Sequence, residues 1–397
     1  MLRQIVAVSW TNLRTLHTRL GASSVVVVGV AGVVFVLTAL LAMANGLAQT
    51  LRSTGEPDRV LILGKGSRSE INGSITREQA AILTGEPGIV ATRDARNLRV
   101  ALASPEIYAT ANLVRRNGTR AGLPLRGVGD TAFRVRPELT ITAGRRFEPG
   151  RFELIVGAGA ARVFAGLNVG DRISIKGATF DVVGRFAAGS NATESEAWMD
   201  VDVMANVFRR GPYLQSVLAR LEAPDAFATL TEAIEADRRL SNSLFRESDF
   251  YAAQSERSTR LMTVVGTTAA AIMALGAIFA SLNSLYAAVA ARAREIAILR
   301  ALGFSATAVI ASVLAESLAL AALGGALGAA LGWSVFDGAS MASVGATYSQ
   351  VAFRFAVTPG LLAAGFGLAL VIGFVGGLLP AVRAARQNIV VGLRALA

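Results

Sequence analysis

Four long apolar stretches constrain the fold of this chain more than any other feature of its sequence. Each reaches the length of about 20 residues that an α-helix needs to cross the hydrocarbon core of a bilayer. Lysine and arginine are absent from all four stretches. The sequence therefore predicts a membrane α-helical protein with four transmembrane helices, at residues 22–46, 261–291, 305–334 and 357–381.

The first apolar stretch has a competing interpretation as a cleaved signal peptide, because Ala42 and Ala44 form an A-x-A pattern. The apolar core of a signal peptide has about 7–15 residues. This stretch is longer than that core, so an uncleaved membrane anchor is the favoured interpretation.

The distribution of charge predicts the orientation of the chain. The formal net charge of the 397 residues is +11, and the excess of arginine lies in short segments beside the apolar stretches. Between the third and fourth stretches, by contrast, the charged residues are Asp337 and Arg354. Short cytoplasmic loops carry the excess of Lys and Arg in membrane proteins. We therefore expect a multi-pass protein of the inner (cytoplasmic) membrane with both termini in the cytoplasm.

Several function classes find no support in the sequence. The basic residues form no recognised nucleic-acid motif, so nucleic acid is not an expected partner. Cysteine is absent, which excludes disulfides and thiolate metal sites. Residues 157–161 match a dinucleotide fingerprint only in part, and residues 64–67 lack the spacing of a phosphate loop. We expect no catalytic residue, no bound cofactor and no metal.

Residues 47–260 separate the first two apolar stretches and read as a soluble, extracytoplasmic α/β domain. Residues 59–63 and 153–156 have strand patterns, and residues 171–183 alternate about a turn as a hairpin does. A polar helical segment at 249–260 runs without a breaker into the second apolar stretch, which predicts a rigid stalk.

The remaining segments are short. We expect an interfacial helix at residues 1–21, where apolar residues recur at helical spacing beside arginines and the lone His17. The other expected segments are a cytoplasmic helix at 292–304, a short extracytoplasmic loop at 335–356 and a cytoplasmic tail at 382–397.

Small and polar residues inside the apolar stretches predict how the membrane helices pack. Glycines recur every four residues, a spacing that lets helix backbones approach closely; they are Gly324, Gly328, Gly332, Gly373 and Gly377. Glu316 lies within the third stretch, where a carboxylate needs a partner. A structural hydrogen bond is favoured over a functional contact, with Asn283 as one candidate partner.

The connection between the second and third stretches is the most informative segment. Residues 292–304 read RARE-IAIL-RALGF, which predicts a helix of about three turns that ends at Gly303. Ile296, Leu299 and Leu302 are expected near one face of this helix. A short amphipathic helix between two spans suits a docking surface, and a solvated interfacial turn is the alternative.

The chain resembles the FtsX-like, MacB-type ABC transporter permeases in two respects. One is the sequence of this segment, and the other is the order of one span, a large domain and three further spans. The corresponding loop of the family reads approximately R-x-R-E-I-G-I-L-R-A-L-G, and Ala297 stands here in place of the first glycine of this motif. Residues 377–386 also resemble the family, as do Glu316 and segments of the large domain near 144–147 and 169–184. The tail at 390–394 departs from the family's P-x-E-A-L-R ending.

The resemblance implies a mechanism of force transmission. Two permease chains, identical or different, pair and bind a separate ABC ATPase, which binds the ATP. The implied ATPase-coupling residues are Arg292, Arg294, Glu295, Ile296, Leu299, Arg300, Ala301, Leu302 and Gly303, and the implied helix-end residues are Pro380, Arg383 and Arg386. ATP hydrolysis would move the outer domain and export or extract an amphiphilic substrate, such as a lipid, lipoprotein, peptide or drug, in some systems with an extracytoplasmic adaptor.

Two alternative functions stay open from the sequence. Some FtsX-like proteins regulate a cell-wall hydrolase through the same kind of motion. A membrane-anchored receptor that acts without an ATPase is the third interpretation. A hydrolase gene nearby would favour the former, and purification without any ATPase would favour the latter.

Overall fold

The computed structural model describes residues 20–93, 97–344 and 350–387. The first 19 residues of the predicted interfacial helix, with His17, and residues 388–397 of the predicted tail lie outside the described residues. Two compact units divide the described chain. We call residues 20–45, 260–339 and 355–387 the helical bundle, and residues 46–259 and 340–354 the α/β domain.

The helices of the described residues are numbered in chain order. They are α1 (Leu20–Arg52), α2 (Arg77–Leu83), α3 (Ala132–Val135), α4 (Ala158–Val163), α5 (Val201–Val207), α6 (Ala226–Ala236), α7 (Glu247–Ala291), α8 (Ala293–Ala301), α9 (Ala306–Phe336) and α10 (Pro359–Ala385). Short 3-10 turns lie at Glu70–Asn72 and Ala192–Ser195.

The strands are numbered in the same way. They are β1 (Arg59–Gly64), β2 (Ile75–Thr76), β3 (Ala91–Arg93), β4 (Arg99–Ala101), β5 (Ala103–Val114), β6 (Arg120–Val128), β7 (Thr140–Gly144), β8 (Glu153–Gly157), β9 (Arg172–Ile175), β10 (Ala178–Ala187), β11 (Ala197–Asp200), β12 (Tyr213–Leu214), β13 (Ser216–Arg220), β14 (Asn242–Arg246), β15 (Ser340–Val344) and β16 (Gln350–Arg354).

Four helices of the described residues are long and apolar enough to cross a membrane, namely α1, α7, α9 and α10. This confirms the predicted fold class of four membrane helices and a large α/β domain. Helix α7 has 45 residues, which correspond to about 68 Å at the helical rise per residue. A bilayer core is about 30 Å thick, so this helix is much longer than a membrane span requires.

Glycines set the helix contacts inside the bundle. A Cβ added to Gly328 of α9 would lie 2.4 Å from the carbonyl oxygen of Ala31 in α1. The same helix approaches α1 closely at Gly324 and Gly332, beside Val27 and Thr38. Backbones can come this near only where no side chain intervenes. The spacing of four residues thus brings these glycines onto a single contact between α9 and α1.

The contact between α9 and α10 uses the second glycine pair. A Cβ on Gly373 would lie 2.5 Å from the Cβ of Ala321, and one on Gly377 would lie 2.6 Å from the Cβ of Ser317. The hydroxyl of Ser317 donates a 2.6 Å hydrogen bond to the carbonyl oxygen of Gly373. Close packing and an interhelical hydrogen bond therefore occur together.

The α/β domain is built on a ten-stranded mixed sheet with strand order β14-β1-β13-β5-β6-β11-β8-β10-β7, and β9 pairs with β10. Apolar side chains such as Ile62, Leu123 and Leu154 are fully buried in its core. The predicted hairpin is the β9–β10 pair. Its two loop residues, Lys176 and Gly177, both have positive φ, as a tight hairpin turn requires.

The segment between α9 and α10 differs from the expected short loop at 335–356. Helix α9 continues to Phe336, and β15 and β16 then form an antiparallel pair that belongs to the α/β domain. The amide of Ala352 donates a 2.8 Å hydrogen bond to Ser195 Oγ. Val351 and Phe353 are buried while Arg354 is exposed. This segment therefore has a strand pattern, but the pattern is short and lies among turn residues, which is why the sequence predicted a loop.

Candidate functional site

The connection between α7 and α8 is a single residue, Arg292. Its backbone has φ −104° and ψ 10°, which departs from helical values and ends α7 at Ala291. The amide of Ile296 donates to the carbonyl oxygen of Arg292 at 3.0 Å and so begins the next helix. The two helices are therefore joined through Arg292 without a loop.

Helix α8 ends where the sequence predicted. Gly303 has φ +91°, a left-handed conformation that glycine adopts at little cost. The amide of Phe304 donates to the carbonyl of Leu299 at 3.1 Å, and that of Gly303 donates to Arg300 at 3.2 Å. These two hydrogen bonds form a Schellman motif. Ser305 then accepts a hydrogen bond from the amide of Ala308 and begins α9.

An ion pair fixes the start of α8 to α9. Arg292 Nη1 donates to Glu316 Oε2 at 2.9 Å, and both side chains are buried. Asn283, one candidate partner of Glu316 from the sequence, is exposed. The carboxylate thus has a structural partner, as favoured from the sequence, but that partner is a residue predicted to face the ATPase.

One face of α8 packs into the bundle. Ile296 and Ala297 are buried, and Ile296 packs in a cluster with apolar residues of the neighbouring helices; these are Val289, Val309, Val313, Ala381, Ala384 and Ala385. A water-sized cavity of 30 Å³ lies between Arg292, Glu316 and this cluster. The inner face of α8 is therefore held by apolar packing as well as by the ion pair.

The opposite face of α8 is exposed and mixes apolar with charged groups. Leu302 is 73% exposed and Ile298 is 42% exposed. Arg294 and Glu295 are also exposed, as is Ala301. Residues four apart on a helix share a face, so Arg294, Ile298 and Leu302 form one stripe. We call residues 294, 295, 298, 301 and 302 the exposed stripe of α8.

The structure corrects the expected shared face of α8 and shows that some of the predicted coupling residues are buried. Ile296, Leu299 and Leu302 do not share one face, because six residues at about 100° each place Leu302 far from Ile296 around the helix. Arg292 and Ile296 point into the bundle, while Leu299 and Arg300 are half-buried. Ile298 was not among the predicted coupling residues, although it lies four residues from both Arg294 and Leu302 and so shares their face of the helix.

The helix-end residues of α10 lie near the same part of the bundle. Pro380 is buried within α10. The guanidinium of Arg383 lies over the ring of Tyr286 in α7, 5.3 Å from its centre, a distance typical of a cation–π contact. Arg386 is exposed and caps the end of α10.

The α/β domain contains a buried charged cluster that the sequence analysis did not find. Arg126 contacts three carboxylates at 2.6–2.7 Å, those of Glu70, Glu106 and Glu196. Arg136 contacts Glu106 as well, at 2.6 Å. These residues lie far apart in the sequence, so no local motif predicts that they cluster. We call Glu70, Glu106, Arg126, Arg136 and Glu196 the buried charged cluster.

The cluster keeps its groups charged. Burial raises the pKa of Glu106, but the guanidinium groups of Arg136 and Arg126 lower it by more, to about 2. Burial lowers the pKa of Arg126, and the surrounding carboxylates, first Glu196 and then Glu70, raise it well above its usual range. A buried charge is tolerated when it is paired in this way. Among the described residues, no group of three or more metal-ligating side chains could hold a metal ion.

Comparison with known families finds two matches. Residues 23–237 match the MacB-like periplasmic core domain, which is more than half of the chain. Residues 267–389, which include α8 and its ion-pair partner, match the FtsX-like permease C-terminal domain. No curated protein matches the chain.

Comparison with solved structures finds similar α/β domains. The periplasmic region of MacB from Actinobacillus actinomycetemcomitans is 16% identical over 53% of this chain and 97% of its own, with a TM-score of 0.38. The extracellular domain of the ABC-type transporter YknZ from Gram-positive bacteria is 16% identical over 47% of this chain and 99% of its own, with a TM-score of 0.36.

Proposed function

The chain belongs to the family of FtsX-like, MacB-type ABC transporter permeases, and from this membership we propose that it couples ATP hydrolysis by a separate ATPase subunit to movement of its periplasmic domain. It is a multi-pass membrane protein and a permease subunit. Permeases of this family act with an ATPase partner and dimerise.

The exposed stripe of α8 is the observation that carries the proposal. Packing and an ion pair fix the inner face of this helix. Its outer face exposes Ile298 and Leu302, so apolar surface remains uncovered there. Exposed apolar side chains ringed by charge mark interaction sites. In a membrane permease, the partner that such a surface suits is the ATPase.

Movement of α8 can be transmitted to the α/β domain through α7. The Arg292–Glu316 pair and the packed inner face tie α8 to α9. Helix α7 ends one residue before α8 and contains no proline from Glu247 to Ala291. Such a helix transmits a displacement as a stiff element, and rigid-body shifts of helices are an established form of switching.

The basic residues support the proposed orientation of the chain. Arg292, Arg294 and Arg300 lie in or next to α8, and Arg383 and Arg386 lie at the end of α10. The positive-inside rule assigns these segments to the cytoplasm. The periplasmic domain then lies on the other side of the inner membrane, and an extracytoplasmic adaptor would meet it there. We propose an amphiphilic substrate, because a moving domain beside a membrane can extract such a molecule without a pore.

A cross-linking experiment tests the proposal. The chain contains no cysteine, so Ile298→Cys introduces a single reactive thiol, which is labelled with a maleimide–benzophenone and irradiated in native membranes. We expect an adduct with an ATPase, identified by mass spectrometry, and a stronger adduct in the presence of a non-hydrolysable nucleotide. Ser174→Cys, exposed on β9, is the matched control and should give no ATPase adduct.

Two results would contradict the proposal. One is the absence of an ATPase adduct from both Ile298→Cys and Leu302→Cys in membranes where the ATPase is present. The other is ATP hydrolysis by the purified chain alone, since the chain is proposed to be non-catalytic and to rely on its partner for ATP.

A further inference from the structure

A cavity in the α/β domain has a volume of about 530 Å³. Pockets that bind small molecules in proteins have volumes of about 300–1,000 Å³. Its walls come from several elements of the α/β domain. Glu70, Tyr108 and Glu196 belong to the sheet and its connections, whereas Phe250 and Tyr251 belong to the first turns of α7.

Glu70 is the carboxylate of the buried charged cluster with the weakest hydrogen bonding. Its Oε1 accepts from Arg126 Nη1 at 2.7 Å. Its Oε2 has only long contacts, at 3.3 Å from Arg126 Nη2 and 3.5 Å from the hydroxyl of Tyr251. Glu196, by contrast, accepts from Arg126 at 2.7 and 2.8 Å and from Trp198 at 2.7 Å.

The hydrogen bonds to Glu70 Oε2 are longer than those to the other carboxylates of the cluster. Glu70 is 7% exposed and lines the cavity. A desolvated carboxylate is stable only when its oxygens have partners. A ligand that donates to Oε2 from within the cavity could form a shorter hydrogen bond than the 3.3 Å and 3.5 Å contacts already there.

The charge of the cluster selects the kind of donor. Three carboxylates face two guanidinium groups, which leaves one negative charge in excess. Arg59 adds no positive excess, because it pairs with both Glu138 and Glu247. Arg68, Arg257 and Asp249 also line the cavity, but all three are exposed. Water and salt screen such exposed charges much more than buried ones.

Aromatic rings complete the cavity. Tyr108, Phe245, Phe250 and Tyr251 line it, and the rings of Phe250 and Tyr251 meet edge to face at 5.5 Å. Such rings bury apolar groups, and their faces also attract ammonium groups. The cavity thus combines an apolar wall with two buried carboxylates, and of these Glu70 has the longer hydrogen bonds.

We propose that this cavity binds an amphiphilic cation, whose ammonium group donates to Glu70 Oε2 and whose apolar body lies against the aromatic side chains. Because Phe250 and Tyr251 lie in α7, the bound ligand contacts the helix that continues into the membrane bundle. This site goes beyond the proposed function, since binding needs neither an ATPase nor its coupling to α8.

Fluorescence titration of the full chain in phosphatidylcholine nanodiscs tests the site. The probe is dansylcadaverine, which joins an aromatic group to a primary ammonium by an alkyl chain. The controls are its N-acetylated neutral form and dansylaminohexanoate, an anion of similar size. After subtraction of the signal from empty nanodiscs, we expect saturable binding of the cation and at least tenfold weaker binding of both controls, as loss of a charged hydrogen bond implies.

Two variants locate the binding. Glu70→Gln should weaken dansylcadaverine binding by about tenfold or more, while Glu235→Gln, exposed on α6, should not. Ala253→Trp keeps Glu70 but places a large ring on a cavity-lining, exposed position of α7, and it should abolish saturable binding. Its matched control is Ala236→Trp, also exposed on a helix, which should bind as the wild type does.

The Ala253→Trp variant decides the outcome if Glu70→Gln fails to fold. Equal affinity for the cationic and acetylated probes would overturn the proposal, and so would unchanged binding in the Ala253→Trp variant. Neither measurement involves ATP, so failure here is distinguishable from failure of the cross-linking experiment at Ile298.

Discussion

Arg292 and Glu316 form a buried ion pair at 2.9 Å across the junction of three helices, 24 residues apart in the chain. Arg292 is the residue at which α7 ends and α8 begins, and Glu316 lies in α9. The pair therefore relates the direction of α8 to a helix of the bundle. If α8 changes its position, α9 must move with it, or the two charges must separate in a site from which water is largely excluded.

The first prediction concerns this pair. Glu316→Gln leaves the guanidinium of Arg292 without its counter-charge, and we expect a loss of about 3 kcal/mol in the free energy of unfolding. Thermal unfolding in detergent measures the loss as a lower melting temperature. Glu295→Gln, exposed on the same helix, should leave the melting temperature unchanged.

A double variant separates stability from orientation. Arg292→Met with Glu316→Leu replaces the pair by apolar groups, which is often neutral for stability. We expect the double variant to recover the melting temperature but not ATPase stimulation in the assembled transporter. Recovery of both would mean that the pair serves stability alone.

The second prediction compares two helical glycines. Gly328→Ala would place a Cβ 2.4 Å from the carbonyl oxygen of Ala31, whereas a Cβ at Gly367 of α10 meets no atom within 4 Å. Replacing glycine by alanine favours a helix by about 1 kcal/mol. We therefore expect Gly367→Ala to raise the melting temperature and Gly328→Ala to lower it. An equal rise in both would show that α1 and α9 do not depend on this close approach.

Much of the fold could be predicted because its signals are local. The length of the apolar stretches indicated the four membrane helices, and Gly303 indicated the end of α8 through its left-handed conformation. The alternation of residues around Lys176 and Gly177 indicated the β9–β10 hairpin. Each of these signals lies within a few residues of the feature that it specifies.

The remainder depends on contacts between distant residues. Arg292, which pairs with Glu316, was not among the candidate partners named from the sequence, because the contact depends on how α8 packs against α9. The buried charged cluster joins residues from position 70 to position 196. Its members read as ordinary surface charges in the sequence, and only the strand order of the sheet brings them together.

The third prediction concerns pH. The pKa of Glu106 is lowered to about 2 in the folded protein, below its ordinary value of 4.5. A lowered folded-state pKa gives stability that is present above pH 4.5 and lost as the pH falls toward 2. The shift corresponds to about 3 kcal/mol. We expect the unfolding free energy of the α/β domain to fall over this range, as followed by hydrogen exchange of β5 and β6.

A comparison of variants assigns this pH dependence. Glu106→Gln should be less stable than the wild type at neutral pH, and the difference should shrink as the pH falls toward 2. Asp130→Asn, which removes an exposed carboxylate, should retain the wild-type pH dependence. An undiminished difference at low pH would mean that the charge of Glu106 is not responsible.

The fourth prediction concerns the β15–β16 hairpin. Ser195→Ala removes the hydroxyl that accepts the 2.8 Å hydrogen bond from the amide of Ala352. Loss of one such bond costs about 1 kcal/mol, so the amides of β16 should exchange with solvent several times faster. Ser174→Ala, exposed on β9, should leave the exchange of β16 unchanged. Unaltered exchange in Ser195→Ala would mean that this bond does not hold the hairpin to the α/β domain.

The fifth prediction separates the two faces of α8. Ile298→Asp introduces a charge on the exposed stripe, where it is solvated in the free permease but opposes an apolar partner surface. Burying an uncompensated carboxylate costs several kcal/mol. We therefore expect at least tenfold weaker ATPase binding, measured by titration of the ATPase onto permease in nanodiscs, with normal insertion and melting temperature. Thr307→Asp, exposed in the first turn of α9, is the matched control. If Ile298→Asp and Thr307→Asp bind the ATPase equally well, the partner does not contact the exposed stripe, and the ATPase must dock elsewhere on the bundle.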